Sequence, residues 1–391
     1  MTTKDSPGPA TRLIHAGAAP ARMAKTVGPP IQRGSTVLLP NAAALYDEAQ
    51  PTYGRGGLAT QETLMSALAE LEDARAVRLF PSGLAALAGA MLAVLKAGDE
   101  VIVSDAAYKP TRRFCDRVLG RFGVAVRYCH ARADCDAVMA LTGPATRLIV
   151  LESPGSLTFE MQDVPAIAAA ARAAGVLTLI DNTWAAGHFF KPLTHGIDIS
   201  VQSLTKYVGG HADVFMGAAA TARSSLVEAL DQAILDFGWA VSPDDAYQML
   251  RGLRTLPTRI ARHQESGFIV AEWLRGQPEV ADVLHPGLAG GPDHALWKRD
   301  FTGAAGLFGI VLQPAAPCAV HAFLDNLGLF GLGFSWGGFE SLALHGDPQL
   351  GVRTYPPVFA GPLVRLNIGL EDPADLIADL RAGLDAFSAA R

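Results

Sequence analysis

The feature that most constrains this chain is a series of short apolar segments, each closed by polar or turn-forming residues. AVRLF (76–80), EVIVS (100–104), VAVRY (124–128), TRLIVLES (146–153) and VLTLID (176–181) read as strands, and ISVQ (199–202) follows. Stretches of helical spacing lie between them. TQETLMSALAELEDA precedes the first strand, GLAALAGAMLAVL follows it, and VPAIAAAARAAG ends at Gly175 just before VLTLID. Strands alternating with helices predict right-handed crossovers and a mainly parallel sheet covered on both faces. With 391 residues, 50% hydrophobic and only 18% charged, the chain has material for a large core and more than one domain.

The ends of these strands carry the residues that do not belong to a core. Ligands of open α/β sheets sit beyond the C-terminal strand ends. Here those ends read Pro81-Ser82-Gly83, Asp105 to Tyr108, Glu152-Ser153-Pro154-Gly155, Asp181-Asn182-Thr183-Trp184 and Ser203-Leu204-Thr205-Lys206. An aspartate closing a buried strand is costly without a partner, and a cationic heterocycle is one such partner. A lysine flanked by hydroxyl residues suits an imine to an aldehyde. The Ser82-Gly83-Leu84 turn opens a helix whose free N–H groups favour a phosphate, and the hydroxyls of Ser203 and Thr205 could join them. Tyr108 offers a flat face to a ring. Aldehyde, phosphate and pyridinium together describe pyridoxal 5′-phosphate. Each feature alone has an ordinary explanation: a surface lysine, a helix cap, a core tyrosine. Their concurrence at successive strand ends favours the cofactor.

Composition narrows the rest. A formal charge of -6 and the lack of a long basic run argue against a nucleic-acid partner. The longest strongly apolar stretch, Gly83 to Leu95, is shorter than the ~20 residues a bilayer requires. The start, MTTKDSPGPATR, lacks the apolar core of a signal peptide, so the expected location is the cytoplasm, away from membranes. Cys115, Cys129, Cys135 and Cys318 form no CxxC pair and no pattern with histidine, and are expected to be reduced thiols, mostly buried, with no metal site. Residues 1–57, rich in Pro, Gly and Ala, read as an N-terminal arm, and 58–252 as the cofactor-binding large domain. Residues 253–391 read as a smaller C-terminal α/β domain, with a leading helix PTRIARHQESGFIVAEWLRG, strands in GLFGIVL, LGLFGLGFSW and PLVRLNIGL, and a closing helix PADLIADLRAGLDAFSAA.

Ten stretches give the chain a resemblance over nearly its whole length. They are TYGR (52–55), LFPSG (79–83), ESPGS (152–156), IDNTWAAG (180–187), TKY with His211, RGLRTL (251–256), HQESG (263–267), WKRDFTG (297–303), SWGGFESL (335–342) and VRLNIGLED (364–372). Together they resemble the Cys/Met-metabolism family of pyridoxal-phosphate enzymes. The resemblance implies fold type I, the aspartate-aminotransferase-like α/β fold, and homotetramers built from tight dimers. It implies Lys206 as the lysine that carries the cofactor and moves protons, Asp181 as the partner of the ring nitrogen, and Tyr108 as the stacking residue. Gly83, Leu84, Ser203 and Thr205 would hold the phosphate. Tyr53 and Arg55 of the arm would reach the phosphate of the neighbouring subunit. Arg365 would clamp the substrate carboxylate, with Ser335 and Trp336 lining the same pocket.

Within the family, the resemblance points to β-elimination of the thioether cystathionine to homocysteine, pyruvate and ammonia. Trp336 and ESPGS match the β-lyases, and Phe334 stands where cystathionine γ-lyases carry glutamate. Two alternatives stay open: a broader cysteine-S-conjugate lyase or cysteine desulfhydrase, and a non-catalytic cofactor-binding module. Gly56, Lys109 and Arg113 depart from the β-lyase pattern; Lys109 and Arg113 with Arg112 predict either a more basic wall at the distal end of the substrate or charges that point to solvent.

Overall fold

The computed structural model describes residues 26–47 and 50–391. The remainder of the expected arm, residues 1–25 and 48–49, lies outside the described residues. Between them the arm runs without regular structure, apart from two short 3-10 turns at Ala42–Tyr46 and Gly54–Gly56. It is tied down where the Gln32 amide donates to Thr60 Oγ1 at 2.8 Å and Thr36 bridges Tyr53.

The first sheet has seven strands, in the order β1-β7-β6-β5-β4-β2-β3. They span Ala76–Phe80 (β1), Glu100–Ser104 (β2), Ala125–Cys129 (β3), Thr146–Glu152 (β4), Leu177–Asp181 (β5), Ile199–Ser203 (β6) and Gly217–Thr221 (β7). The pairs β2–β3, β2–β4, β4–β5 and β5–β6 are parallel; β7 pairs antiparallel with both β1 and β6. The mainly parallel sheet foreseen from the alternation is therefore present. Strand β4 shows why its centre, Leu148 to Leu151, is apolar on both faces. Ile149 and Leu151 join the core on one face, and Leu148 and Val150 the core on the other.

Strand β7 was not foreseen. Its sequence, GAAAT, has neither large β-formers nor alternation. All five of its residues are nevertheless buried. The small side chains are required by position: a Cβ on Gly217 would lie 2.2 Å from the Ser82 carbonyl oxygen. The strand thus lets the Ser82 turn settle directly onto the sheet.

The second sheet has five strands, in the order β10-β11-β12-β9-β8, and makes a smaller domain. Strands β9 (Leu307–Leu312) and β12 (Leu363–Asn367) lie within the foreseen segments. LGLFGLGFSW contributes only the two-residue β10 (Gly331–Leu332), because its glycines favour turns. Strands β8 (Val280–Leu284) and β11 (Leu342–His345) were not foreseen. The closing helix runs Pro373–Ala390.

A 33-residue helix, Pro243–Arg275, joins the two sheets. It starts earlier than its apolar pattern predicts, at Ser242, whose hydroxyl accepts from the Asp244 and Asp245 amides. The expected domain boundary after residue 252 falls inside it. Leu250, Leu256 and Ile260 belong to the first core, Val270, Ala271 and Leu274 to the second. All four cysteines are free; Cys115 and Cys129 are buried, Cys135 is half-buried and Cys318 exposed. The expectation of mostly buried thiols holds for two of them. Among the described residues, no helix is long and apolar enough to cross a membrane.

Glu72, the last residue of the helix Ala59–Glu72, is only 2% exposed beneath this sheet. It accepts from Ser200 Oγ at 3.0 Å and from Gln202 Nε2. Burial pushes its pKa from 4.5 up to about 7, against the pull of those two hydrogen bonds. Between these values the folded chain holds a proton that the unfolded chain releases, so this group lowers stability as pH rises from 4.5 to 7. Glu72→Gln should remove that slope. Urea unfolding should find the variant as stable as the parent near pH 4 and more stable at pH 8, by on the order of 3 kcal/mol. Parallel pH curves would contradict this assignment.

Candidate active site

Five loops at the strand ends of the first sheet meet two strands of the second. After β1, Ser82 caps the helix Gly83–Leu92 by accepting from the Ala85 amide at 3.1 Å. Gly83 packs so closely on Ser203 that a Cβ would lie 2.5 Å from the serine Cβ. Bare backbone is therefore obligatory where Ser82, Gly83 and Leu84 line the cavity. A helix N-terminus without a side chain in the way, beside the hydroxyl of Ser203, is a fitting cradle for a phosphate.

After β5, Asp181 is fixed by its own loop. Its Oδ1 accepts from the Thr183 amide at 3.0 Å and from Thr183 Oγ1 at 2.5 Å. The same threonine oxygen accepts from the Ser203 amide at 2.9 Å, which links the ends of β5 and β6. Burial raises the Asp181 pKa, opposed by the Thr183 bonds and by Lys206. A pyridinium N–H is a partner that a buried carboxylate of this kind accommodates.

After β6, the chain turns through Lys206. Its Nζ donates to Ser335 Oγ at 2.8 Å and lies 5.5 Å from the Trp336 ring centre. Burial and then the Arg365 charge lower its pKa to about 8, although Asp181 works in the opposite sense. A lysine in this state supplies neutral amine near neutral pH. Arg365 comes from β12. Its Nη2 donates to the carbonyls of Gly333, Phe334 and Ser335, at 3.2, 3.3 and 2.8 Å. Nε is buried and lacks a partner among the described residues, and burial lowers the guanidinium pKa to about 10. A carboxylate ligand would satisfy that donor and pair with the charge.

Tyr108 stands before the short helix Lys109–Phe114, and its amide donates to Glu152 Oε2 at 2.7 Å. Glu152 is the cross-strand neighbour of Asp181. Burial, and then Asp181, hold its carboxyl well above the usual range. Neither Glu152 nor Thr183 had been singled out as functional from the sequence. Glu152 did stand at a strand end, but nothing in the sequence told that it faced a second carboxylate across the sheet.

The cavity between the sheets measures about 250 Å³. Of the expected site residues, Gly83, Leu84, Tyr108, Asp181, Ser203, Thr205, Lys206, Trp336 and Arg365 line it, and Ser335 reaches it through Lys206. The Thr205 hydroxyl is engaged with Met216, donating to its carbonyl at 3.3 Å and accepting from its amide at 3.0 Å. Tyr53 and Arg55 are not brought there. They line separate clefts, with the Arg55 guanidinium 5.3 Å from the Tyr53 ring centre. Gly56 lies in one of these clefts too.

The expected basic wall also does not form in the cavity of this chain. Lys109 and Arg113 are exposed outside it. Arg112 is buried instead, donating to Asp105 Oδ1 at 2.6 Å and stacking on Tyr128, 3.7 Å from the ring centre. Its charge is spent inside the protein, where an aspartate seven residues earlier compensates it.

Lysine, carboxylate, phosphate cradle and carboxylate-binding arginine in one cavity define a pyridoxal-phosphate enzyme that acts on amino acids. Comparison with known proteins bears this out. Residues 10–385 match the family described as Cys/Met metabolism PLP-dependent enzyme. A Rhizobium johnstonii protein provisionally named cystathionine β-lyase is 47% identical, with 100% of both chains covered. The cystathionine β-lyase MetC of Escherichia coli is 42% identical over 95% of this chain and 97% of its own. The crystal structure of a Xanthomonas oryzae cystathionine γ-synthase in complex with cystathionine superposes with a TM-score of 0.88 at 33% identity, covering 93% of this chain and 94% of that one. This chain belongs to the Cys/Met-metabolism family of pyridoxal-phosphate-dependent enzymes, and pyridoxal phosphate is its cofactor.

Because the Thr183 hydroxyl ties the Asp181 carboxylate to the Ser203 amide, Thr183→Val should loosen the carboxylate without changing the cavity's shape. Equilibrium dialysis should find cofactor affinity about tenfold weaker, the worth of one or two buried hydrogen bonds. Unchanged affinity would show that Thr183 does not set the Asp181 position.

Proposed function

We propose that this protein is a carbon–sulfur lyase that cleaves L-cystathionine by β-elimination into homocysteine and 2-aminoacrylate, the latter taking up one water to give pyruvate and ammonia, a step of methionine biosynthesis. The observation that carries the reading is the Lys206 amine, its pKa lowered to about 8, set beside Ser335, Asp181 and Arg365 in one cavity. The names of the full-length relatives support the choice of substrate. Trp336 over the amine and Phe334 at the mouth agree with β- rather than γ-cleavage.

Bound pyridoxal phosphate supplies an aldehyde for the amine and an electron-withdrawing ring that accepts charge from Cα. Gly83, Leu84 and Ser203 would hold its phosphate, and Thr205 would join them by turning its hydroxyl away from the Met216 carbonyl. Asp181 would keep a proton on the ring nitrogen. Tyr108 would stack on the ring and assist proton transfer. Arg365 grips the substrate carboxylate and fixes the amino acid so that its Cα–H bond points toward Lys206; such positioning supplies several kcal/mol of the rate. The neutral Lys206 amine takes the Cα proton and then returns a proton to the leaving sulfur, so homocysteine departs as a thiol.

Tyr53 and Arg55 lie outside the cavity of their own chain, which accords with a role across a subunit boundary. The active protein is then a homotetramer, a dimer of dimers with shared sites, located in the cytoplasm. Residues 1–57 serve the neighbouring site, 58–252 bind the cofactor, and 253–391 form the C-terminal domain.

Lys206→Ala should abolish pyruvate release from cystathionine, and activity at the parental rate would sink the mechanism. Arg55→Ala should weaken cofactor retention in the assembled protein; full retention would argue against a contact across subunits. Cystathionine and cysteine offered side by side separate the two lyase readings. A strong preference for cystathionine is expected, and faster turnover of cysteine would favour a desulfhydrase.

A further inference from the structure

The long helix Pro243–Arg275 presents a row of residues to the turn that follows Lys206. Gly252 comes first. A Cβ there would meet the carbonyl oxygens of Val208 and Gly209, each at 2.4 Å, so the turn rests on bare helix backbone. Arg259, two turns on, reaches the same carbonyl row. Its Nη1 donates to the Tyr207 carbonyl at 2.8 Å, and its Nη2 to those of Val208 at 3.2 Å and Gly252 at 2.8 Å. Nε donates to Thr255 Oγ1 at 3.1 Å. One turn further, the His263 ring meets Tyr207 edge-on at 5.1 Å.

The turn is shaped to this grip. The Gly210 amide closes it on the Lys206 carbonyl at 2.7 Å. Gly210 has φ +71°, and a Cβ on it would lie 2.0 Å from Arg259 Nη1. From the opposite side, a Cβ on Gly337 would come within 3.0 Å of the Tyr207 amide. Lys206 therefore sits at the head of a turn held on both sides.

Arg259 itself is 8% exposed, and among the described residues it forms no ion pair. A buried cation without a counter-charge is expensive, and an apolar side chain would fill the space at less cost. The planar fork of a guanidinium, however, binds several carbonyls in fixed directions, which neither an apolar residue nor a lysine does.

We propose that Arg259 is a positioning residue for Lys206, fixing the amine's height in the cavity through the carbonyl oxygens of Tyr207 and Val208. The inference rests on the reading of Lys206 as the lysine that carries the cofactor. It assigns a use to Gly252 and Thr255 of RGLRTL and to His263 of HQESG, the stretches that flank Arg259.

The test uses the full-length holoenzyme with Arg259→Met, Arg259→Lys and Thr255→Val. The visible absorption band of the cofactor is titrated with pH, hydrogen exchange is followed at the amides of 207–210, and kcat and KM are measured with cystathionine. Arg259→Met should shift the spectral midpoint by about one pH unit, speed exchange in the turn, and lower kcat by ~10²-fold while KM changes less than about threefold. Arg259→Lys should recover part of each change. A merely structural arginine would alter exchange and melting but leave the spectral midpoint and kcat at parental values, and that result overturns the proposal. Should Arg259→Met not fold, Thr255→Val decides: it keeps the guanidinium but removes its Nε acceptor, and an unshifted midpoint in that variant overturns the proposal as well. A cofactor band unchanged by Lys206→Ala would instead refute the premise about Lys206, and is distinguishable because it does not involve Arg259.

Discussion

The organisation of this protein depends on keeping one lysine amine half-buried and yet available. Removing a charge from water costs several kcal/mol, so a buried lysine either finds a counter-ion or gives up its proton. Lys206 is placed between the two outcomes. Burial and Arg365 push the proton off, while Asp181 draws it back. The amine, its pKa lowered to about 8, lies closer to physiological pH than an ordinary lysine, which favours both taking and returning a proton. Losing either charged neighbour would move that balance.

Such a balance requires that the neighbours come from different parts of the chain and are held rigidly. Asp181 closes β5 and Lys206 follows β6, adjacent parallel strands. Arg365 arrives from β12 of the second sheet, with three backbone carbonyls around its Nη2. The helix Pro243–Arg275 contributes to both cores and thereby fixes the distance between the sheets. Buried ion pairs add to this: Arg353 binds Glu160 at 3.0 Å and Arg112 binds Asp105 at 2.6 Å, joining the segment before β12 to the loops that carry Ser156 and Tyr108.

What could be read from the sequence follows from these physics. The parallel strands announce themselves as brief apolar runs, and the ligand-binding residues as polar breaks at their ends. Lys206, Asp181, Gly83 and Tyr108 were legible for that reason, and Arg365 through its motif. Strand β7 was not, because GAAAT carries little β-propensity and its first residue is set instead by the close approach of the Ser82 turn to Gly217. Arg112 was misread because a charge in a sequence looks exposed; its compensating carboxylate lies one helix turn before the helix it sits on. Glu152 escaped because carboxylate pairs across a sheet depend on register, which no local pattern displays.

The central claim is that this cavity breaks the Cβ–S bond of cystathionine. The same scaffold in relatives serves γ-chemistry, as the γ-synthase structure shows, and the two outcomes release different keto acids. The most direct measurement is the identity of the products formed from cystathionine by the purified holoenzyme, resolved by mass spectrometry. Pyruvate and homocysteine in equal amounts are the predicted result. 2-Oxobutyrate with cysteine would place the cleavage at Cγ and contradict the account.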